Sequence, residues 1–213
     1  MFHTDDPLAI PLWINGHAYL TMAPAFQDVR NPVSREVLRR TPLCGSAEAL
    51  KAVDAAQAAL SAWAAQDAAA RAALLASVGE ALSGYAAHFA RLIMEESGKE
   101  AASADGEVAR AVALLQGAEA GDAADQIDRP GVIGIVGDSK APLLGALQIA
   151  VPTLLAGSVV VIKPNPETPS AIFALAELTG RCGFPGGVFS ILHGGEAAVE
   201  GLRDADGVRL FFS

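Results

Sequence analysis

The sequence predicts an α/β protein: a helical and β-arm amino-terminal region, then an open, parallel, Rossmann-like sheet with helices on both faces. Three observations carry this expectation. From Gly131 onward, four short aliphatic runs (GVIGIV, SVVVI, GVFSIL and GVRLFF) alternate with segments of helical composition. Those runs show no polar alternation, as expected of strands buried on both faces beneath helices. Before Gln116, by contrast, Ala- and Leu-rich segments keep apolar residues at helical spacing.

In chain order, WINGHAYL holds an Asn-Gly turn signal between apolar flanks, and FQDVRNPVSREVLRR holds an Asn-Pro turn. Both predict a small β arm over residues 1–45. Ser46 is then expected to N-cap a helix through SAEALKAVDAAQAALSAWAA. Asp67 begins a second helix, whose stripe of Leu74, Leu75, Val78, Leu82, Tyr85, Phe89, Leu92 and Ile93 runs to a stop at Gly98. A third helix is expected from about Ser103 to Gln116, and GAEAGDAADQIDRPG marks a boundary, so that 46–128 forms a helical segment and 129–213 an incomplete nucleotide-binding domain. Right-handed crossovers place the carboxyl ends of all four strands on one edge, where open α/β sheets bind ligands.

Composition narrows the function. A formal net charge of −9 argues against nucleic-acid or anionic-membrane partners. No apolar run approaches the ~20 residues of a membrane helix, and no basic n-region precedes an apolar stretch, so a cytoplasmic protein is expected. Cys44 and Cys182 fit no metal or redox spacing, and His3, His17, His88 and His193 never pair at ligand spacing. High apolar content, 52% of residues, suits a tight interior or an assembly surface.

The residues past the strand ends are 137–140, 163–167, 193–195 and Ser213. Two of only four lysines, Lys140 and Lys163, stand there, and helix N-termini at the same edge would add partial positive charge for a phosphate. No GxGxxG follows the first strand, which disfavours an ordinary dinucleotide fingerprint. Ser139 and Lys140 are adjacent in an extended segment and point apart, so they make a poor nucleophile pair. His193 reads as a loop-edge residue.

The ordered segments resemble the amino-terminal half of the aldehyde dehydrogenase superfamily. WINGHAYL and RNPVSREVL are similar to its opening strands, EESGK to its E(T/S)GK helix end, and GVIGIV with APLL to the strand leading into its PWNFP loop. AVPTLLAGSVVVIKPNPETP resembles the family's KP segment, and GFPGGVFSILHGG its GLPxGVxNVVxG. The resemblance implies an NAD(P)-binding domain that lacks GxGxxG, with Lys163 of the KP pair reaching the adenosine ribose. Val136, Pro164, Lys140 and Gly195 are carried over as neighbouring cofactor-site positions. The family's acidic ribose ligand falls on Pro166, leaving Glu167 one place off as a substitute.

The resemblance also implies departures. The catalytic cysteine and glutamate of the family lie beyond its FTGS segment, which corresponds to the sequence around Phe212 and Ser213. Lys140 falls where the oxyanion asparagine belongs, and Asp138 and Ser139 where the Pro-Trp pair belongs. No catalytic residue and no metal ligand is therefore expected, and NAD or NADP binding is expected to be weakened or lost. The short stretch before Arg129 leaves little room for the family's oligomerisation hairpin. The expected role is a non-catalytic cofactor-domain subunit. Alternatives are one part of a working enzyme completed by a partner chain, or an assembly module that forms a homo- or hetero-oligomer through the β arm or the open sheet edge at Val208 to Phe212.

Overall fold

The computed structural model describes residues 7–117 and 129–213. Strands β1 (Leu12–Ile14), β2 (His17–Tyr19), β3 (Phe26–Arg30) and β4 (Val37–Pro42) come first, then helices α1 (Ser46–Ala64), α2 (Ala68–Gly84), α3 (Ala86–Ser97) and α4 (Ala101–Gln116). The alternating part comprises β5 (Val132–Val136), α5 (Leu144–Leu155), β6 (Val159–Lys163), α6 (Ser170–Arg181), β7 (Phe189–Ile191), α7 (Glu196–Arg203) and β8 (Val208–Phe212). The proposed boundary at 128/129 falls largely outside the described residues.

All four predicted strands form, and β7, β6, β5 and β8 lie parallel in that order. The β arm divides. The β1–β2 hairpin joins the same sheet antiparallel to β7 through Trp13 and Ile191, while β3 and β4 make a separate two-stranded ribbon. The six-stranded sheet is thus mostly, not wholly, parallel, because the buried Leu12-Trp13-Ile14 run is apolar on both faces and takes an interior place. Asn15 and Gly16, with φ of 55° and 77°, supply the two left-handed residues that a tight hairpin turn requires.

Helices α1 and α7 cover one face of the sheet. On the other lie α5 and α6, with α2, α3 and α4 stacked outside them. The expected 46–128 segment therefore contributes to both faces. The N-cap of α1 is Gly45, not Ser46; the Glu48 carboxylate accepts the Gly45 N–H at 3.1 Å and so does the capping. The single helix expected from Asp67 to Gly98 is two, because the chain turns at Tyr85 after Gly84. Gly98 ends α3 in the left-handed conformation as expected, and α4 starts two residues before Ser103.

One close approach seats α1 on the sheet. Gly187 has φ +87°, and a Cβ there would lie 2.2 Å from the Ala55 carbonyl oxygen, so the chain entering β7 passes directly against α1.

Candidate cofactor site at the carboxyl edge of the sheet

The parallel register places Val136 opposite Lys163 at the ends of β5 and β6, and the Gly137 N–H donates to the Lys163 carbonyl at 2.9 Å. Two of the expected site positions thus meet at once. Lys163 is only 4% exposed, and among the described residues its ammonium, which keeps slight solvent contact, makes no hydrogen bond and no ion pair within 4 Å. Burial holds its ammonium below the ordinary lysine value, and the charge of Glu196, at the start of α7 beside Gly195, pulls it partly back. A buried cation with so little compensation is costly, and an anionic or hydroxyl-rich partner would relieve that cost.

His193 stands beside this lysine and corrects the loop-edge expectation, being 2% exposed. Its Nε2 lies 3.1 Å from the Pro11 carbonyl, which only accepts, so that nitrogen carries the proton. Burial, with Lys163 close by, lowers its pKa to about 4 and keeps the ring neutral near pH 7.

The other carried-over residues do not all converge. Pro164 is buried next to Lys163. Lys140 is exposed on the loop after β5, where the Asp138 carboxylate accepts the backbone N–H groups of Lys140 at 2.6 Å and Ala141 at 2.9 Å. Glu167 is exposed and lines a depression with Gln27, Asp28, Arg30 and Arg35 of the β3–β4 ribbon. Asn165 holds the Glu167 N–H at 2.9 Å in a turn that commits the loop to this course.

The expected anion cradle of helix N-termini is also modified. Leu143 and Leu144, at the start of α5, donate their N–H groups to the fully buried Glu107 carboxylate at 2.9 and 3.1 Å, and Lys99 pairs with its other oxygen. Ser170, at the start of α6, donates its N–H to Glu96 at 3.0 Å and its hydroxyl to the same carboxylate, which Arg39 of β4 approaches at 3.1 Å. Carboxylates of the helical layer already occupy both helix ends, which removes those amides from the cradle.

Composition and spacing did not bring out Glu96 and Glu107. Their signal is an acid on an apolar stripe: Glu96 follows Phe89, Leu92 and Ile93, while Glu107 lies between Ala104 and Ala111 on the buried side of α4. Neither cysteine is placed as a nucleophile. Cys44 is buried, and burial with the nearby Glu48 charge pushes its thiol up to about 12. Cys182 follows α6 at the opposite end of the helix, with its Sγ 3.6 Å from the Ser77 carbonyl.

The model of the aldehyde dehydrogenase family matches residues 21–212. The chain belongs to the aldehyde dehydrogenase family. It is 36% identical over 189 residues to a glutarate-semialdehyde dehydrogenase of Pseudomonas aeruginosa, an alignment covering 81% of this chain and 39% of that protein. Identity to the NADP+-dependent succinate-semialdehyde dehydrogenase GabD of Escherichia coli is 34% over 188 residues, again covering 81% and 39%. Among solved structures, lactaldehyde dehydrogenase from E. coli superposes with a TM-score of 0.85 at 30% identity, over 92% of this chain and 45% of that one. A 3,6-anhydro-L-galactose dehydrogenase in complex with NADP superposes at 0.88 with 26% identity, over 95% and 46%. The chain spans somewhat under half the length of these aldehyde dehydrogenases.

Proposed function

We propose that this chain is the nucleotide-holding part of an aldehyde dehydrogenase, binding NAD or NADP at the carboxyl edge of β5, β6 and β7 and turning over no aldehyde by itself. Lys163 carries the reading: a largely buried ammonium with no ion pair within 4 Å among the described residues, at a strand end in the segment that resembles the family's KP motif. Lys163 and Pro164 would hold the nucleotide, with Val136 and Gly195 as neighbouring backbone. When bound, the nicotinamide supplies hydride acceptance. Lys140 and Glu167, turned to solvent and to the β3–β4 ribbon, contribute little to binding, so affinity is weak.

The absence of turnover rests on the two cysteines. Attack on an aldehyde needs a thiolate within reach of the substrate. Cys44, with its thiol pushed up to about 12, and Cys182, behind α6, do not meet that need.

Calorimetric titration with NAD and NADP, alongside Lys163→Ala, tests the proposal. Binding of either nucleotide that vanishes in the variant supports it, and equal binding by both proteins refutes it. Oxidation of any aldehyde by the purified chain alone would refute the non-catalytic half.

A second reading follows from β8, which pairs only with β5 and leaves its other edge without a strand among the described residues. Its five residues are all half-buried, and unpaired apolar edges associate. In this reading β8 pairs across an oligomer interface, with a second copy or with a chain supplying catalytic residues, in the cytoplasm. Sedimentation at falling concentration checks it; a monomer at all concentrations removes it. No helix among the described residues is long and apolar enough to cross a membrane.

A further inference from the structure

We infer that Glu96 and Glu107 are positioning residues, two carboxylates of the helical layer that hold the β6–α6 and β5–α5 loops and thereby set the geometry of the strand-end site. The nucleotide consequence rests on the proposed function; the loop-holding role does not. Glu107 grips the Leu143 and Leu144 amides, directly after the loop of residues 137–142 that leaves β5. Glu96 grips Ser170 through both its amide and its hydroxyl, directly after the loop of residues 164–169 that leaves Lys163. Each carboxylate is tied in turn to a cation outside the nucleotide domain, Lys99 beside Gly98 and Arg39 on β4.

The placement of these two groups differs from general helix capping. Neither helix uses a side chain of its own N-cap residue, Leu143 or Pro169, and both obtain their acceptor from α3 or α4. The loops are therefore anchored across an interface. Groups in a ligand site lose binding when the shell behind them shifts by a fraction of an ångström. The two anchors are also close in sequence: Glu96 lies within the EESGK segment that links α3 to α4, and Glu107 follows on α4.

Arg71 provides the internal control, because it acts on the same helix α5 at the other edge of the sheet, where its Nε donates to the Leu155 carbonyl at 2.9 Å. Hydrogen exchange of the 213-residue chain is measured for wild type, Glu96→Ala, Glu107→Ala, Glu96→Gln, Glu107→Gln and Arg71→Ala, followed by titration of each with NAD and NADP. The Gln variants keep an acceptor for the amides and guard against an Ala variant that does not fold.

The expected pattern is local. Glu107→Ala speeds exchange in 137–147 and Glu96→Ala in 163–173, the Gln variants restore protection, and Arg71→Ala lowers the melting temperature while sparing both loops. Nucleotide affinity falls about tenfold or more in the Ala variants and stays within about threefold of wild type in Arg71→Ala. Exchange that rises evenly over the chain, with Arg71→Ala indistinguishable from Glu107→Ala, would overturn the inference. Wild type that binds neither nucleotide would defeat the proposed function alone, and exchange would still decide the loop-holding role.

Discussion

The two edges of the central sheet are finished with different chemistry, and α5 shows the contrast at its two ends. At its amino end, on the carboxyl edge of the sheet, the Glu107 carboxylate from α4 takes the orphan amides. At its carboxyl end, the Trp63 indole donates to the Leu154 carbonyl at 3.1 Å, and the Arg71 guanidinium bonds Leu155 and the carbonyls around the α1–α2 turn. Both arrangements complement the helix dipole from outside the helix. Among the described residues, however, Glu96, Lys163 and His193, whose titration burial shifts, stand at the carboxyl edge, whereas an indole and an always-charged guanidinium serve the other. The contributions of Glu96, Lys163 and His193 should therefore vary with pH, and those of the indole and the guanidinium should not.

The largest effect is expected from Glu107→Ala. It leaves two amides without an acceptor and Lys99 without its partner, and should cost about 3–5 kcal/mol in urea unfolding. A loss below about 1 kcal/mol would show that solvent replaces the carboxylate and that the carboxyl edge is less closed than the structure indicates.

Next is the acid limb set by His193. Its folded pKa of about 4 lies below the ordinary 6.5, so the folded protein binds fewer protons between these values and loses stability as pH falls from 6.5 to 4. The loss approaches about 3 kcal/mol for a shift of this size. Unfolding of wild type and His193→Gln across this range should differ in slope, the variant being flatter. Parallel slopes would mean that the imidazole is reached by water and does not titrate as a buried group. Burial raises the pKa of Glu96 above the usual carboxylate value, which acts with the opposite sign as its carboxyl protonates, so the comparison must be made variant by variant.

Arg71→Ala should cost about 2–3 kcal/mol, equally at pH 5 and pH 8. A pH-dependent cost would break the contrast between the edges. Trp63→Phe is the smallest change, at about 1 kcal/mol, because the ring still packs on Phe184 and only the indole hydrogen bond is lost. Double-mutant measurement with Arg71→Ala would sharpen the picture, since two donors serving adjacent carbonyls should couple.

Much of this was legible in the residues themselves. The four parallel strands were readable because aliphatic runs buried on both faces leave little else that such segments do. The place of Lys163 at a strand end was readable because an aliphatic run that closes on a lysine marks the end of a buried strand. The direction of Glu167 was not readable for a physical reason: sequence register gives its distance from Lys163 along the chain, but the Asn165 turn decides its direction, and it sends Glu167 toward the β3–β4 ribbon. The β1–β2 hairpin was recognised from Asn15-Gly16, yet its pairing with β7 depends on contact between residues almost the whole chain apart.

By itself, the sequence determined the four parallel strands, their order and the edge at which their carboxyl ends lie, since periodicity, turn chemistry and crossover handedness are local or general rules. It also carried the motifs by which the chain resembles the aldehyde dehydrogenase family, to which it belongs. Only the tertiary structure decided which groups are buried and what they face. It turned His193 from a loop residue into a neutral core imidazole, and made anchors of two glutamates that would be solvent-exposed on an isolated helix. Burial and hydrogen-bond partnership arise from residues distant in sequence, and they set the energy of a charged group far more strongly than its immediate neighbours in the chain.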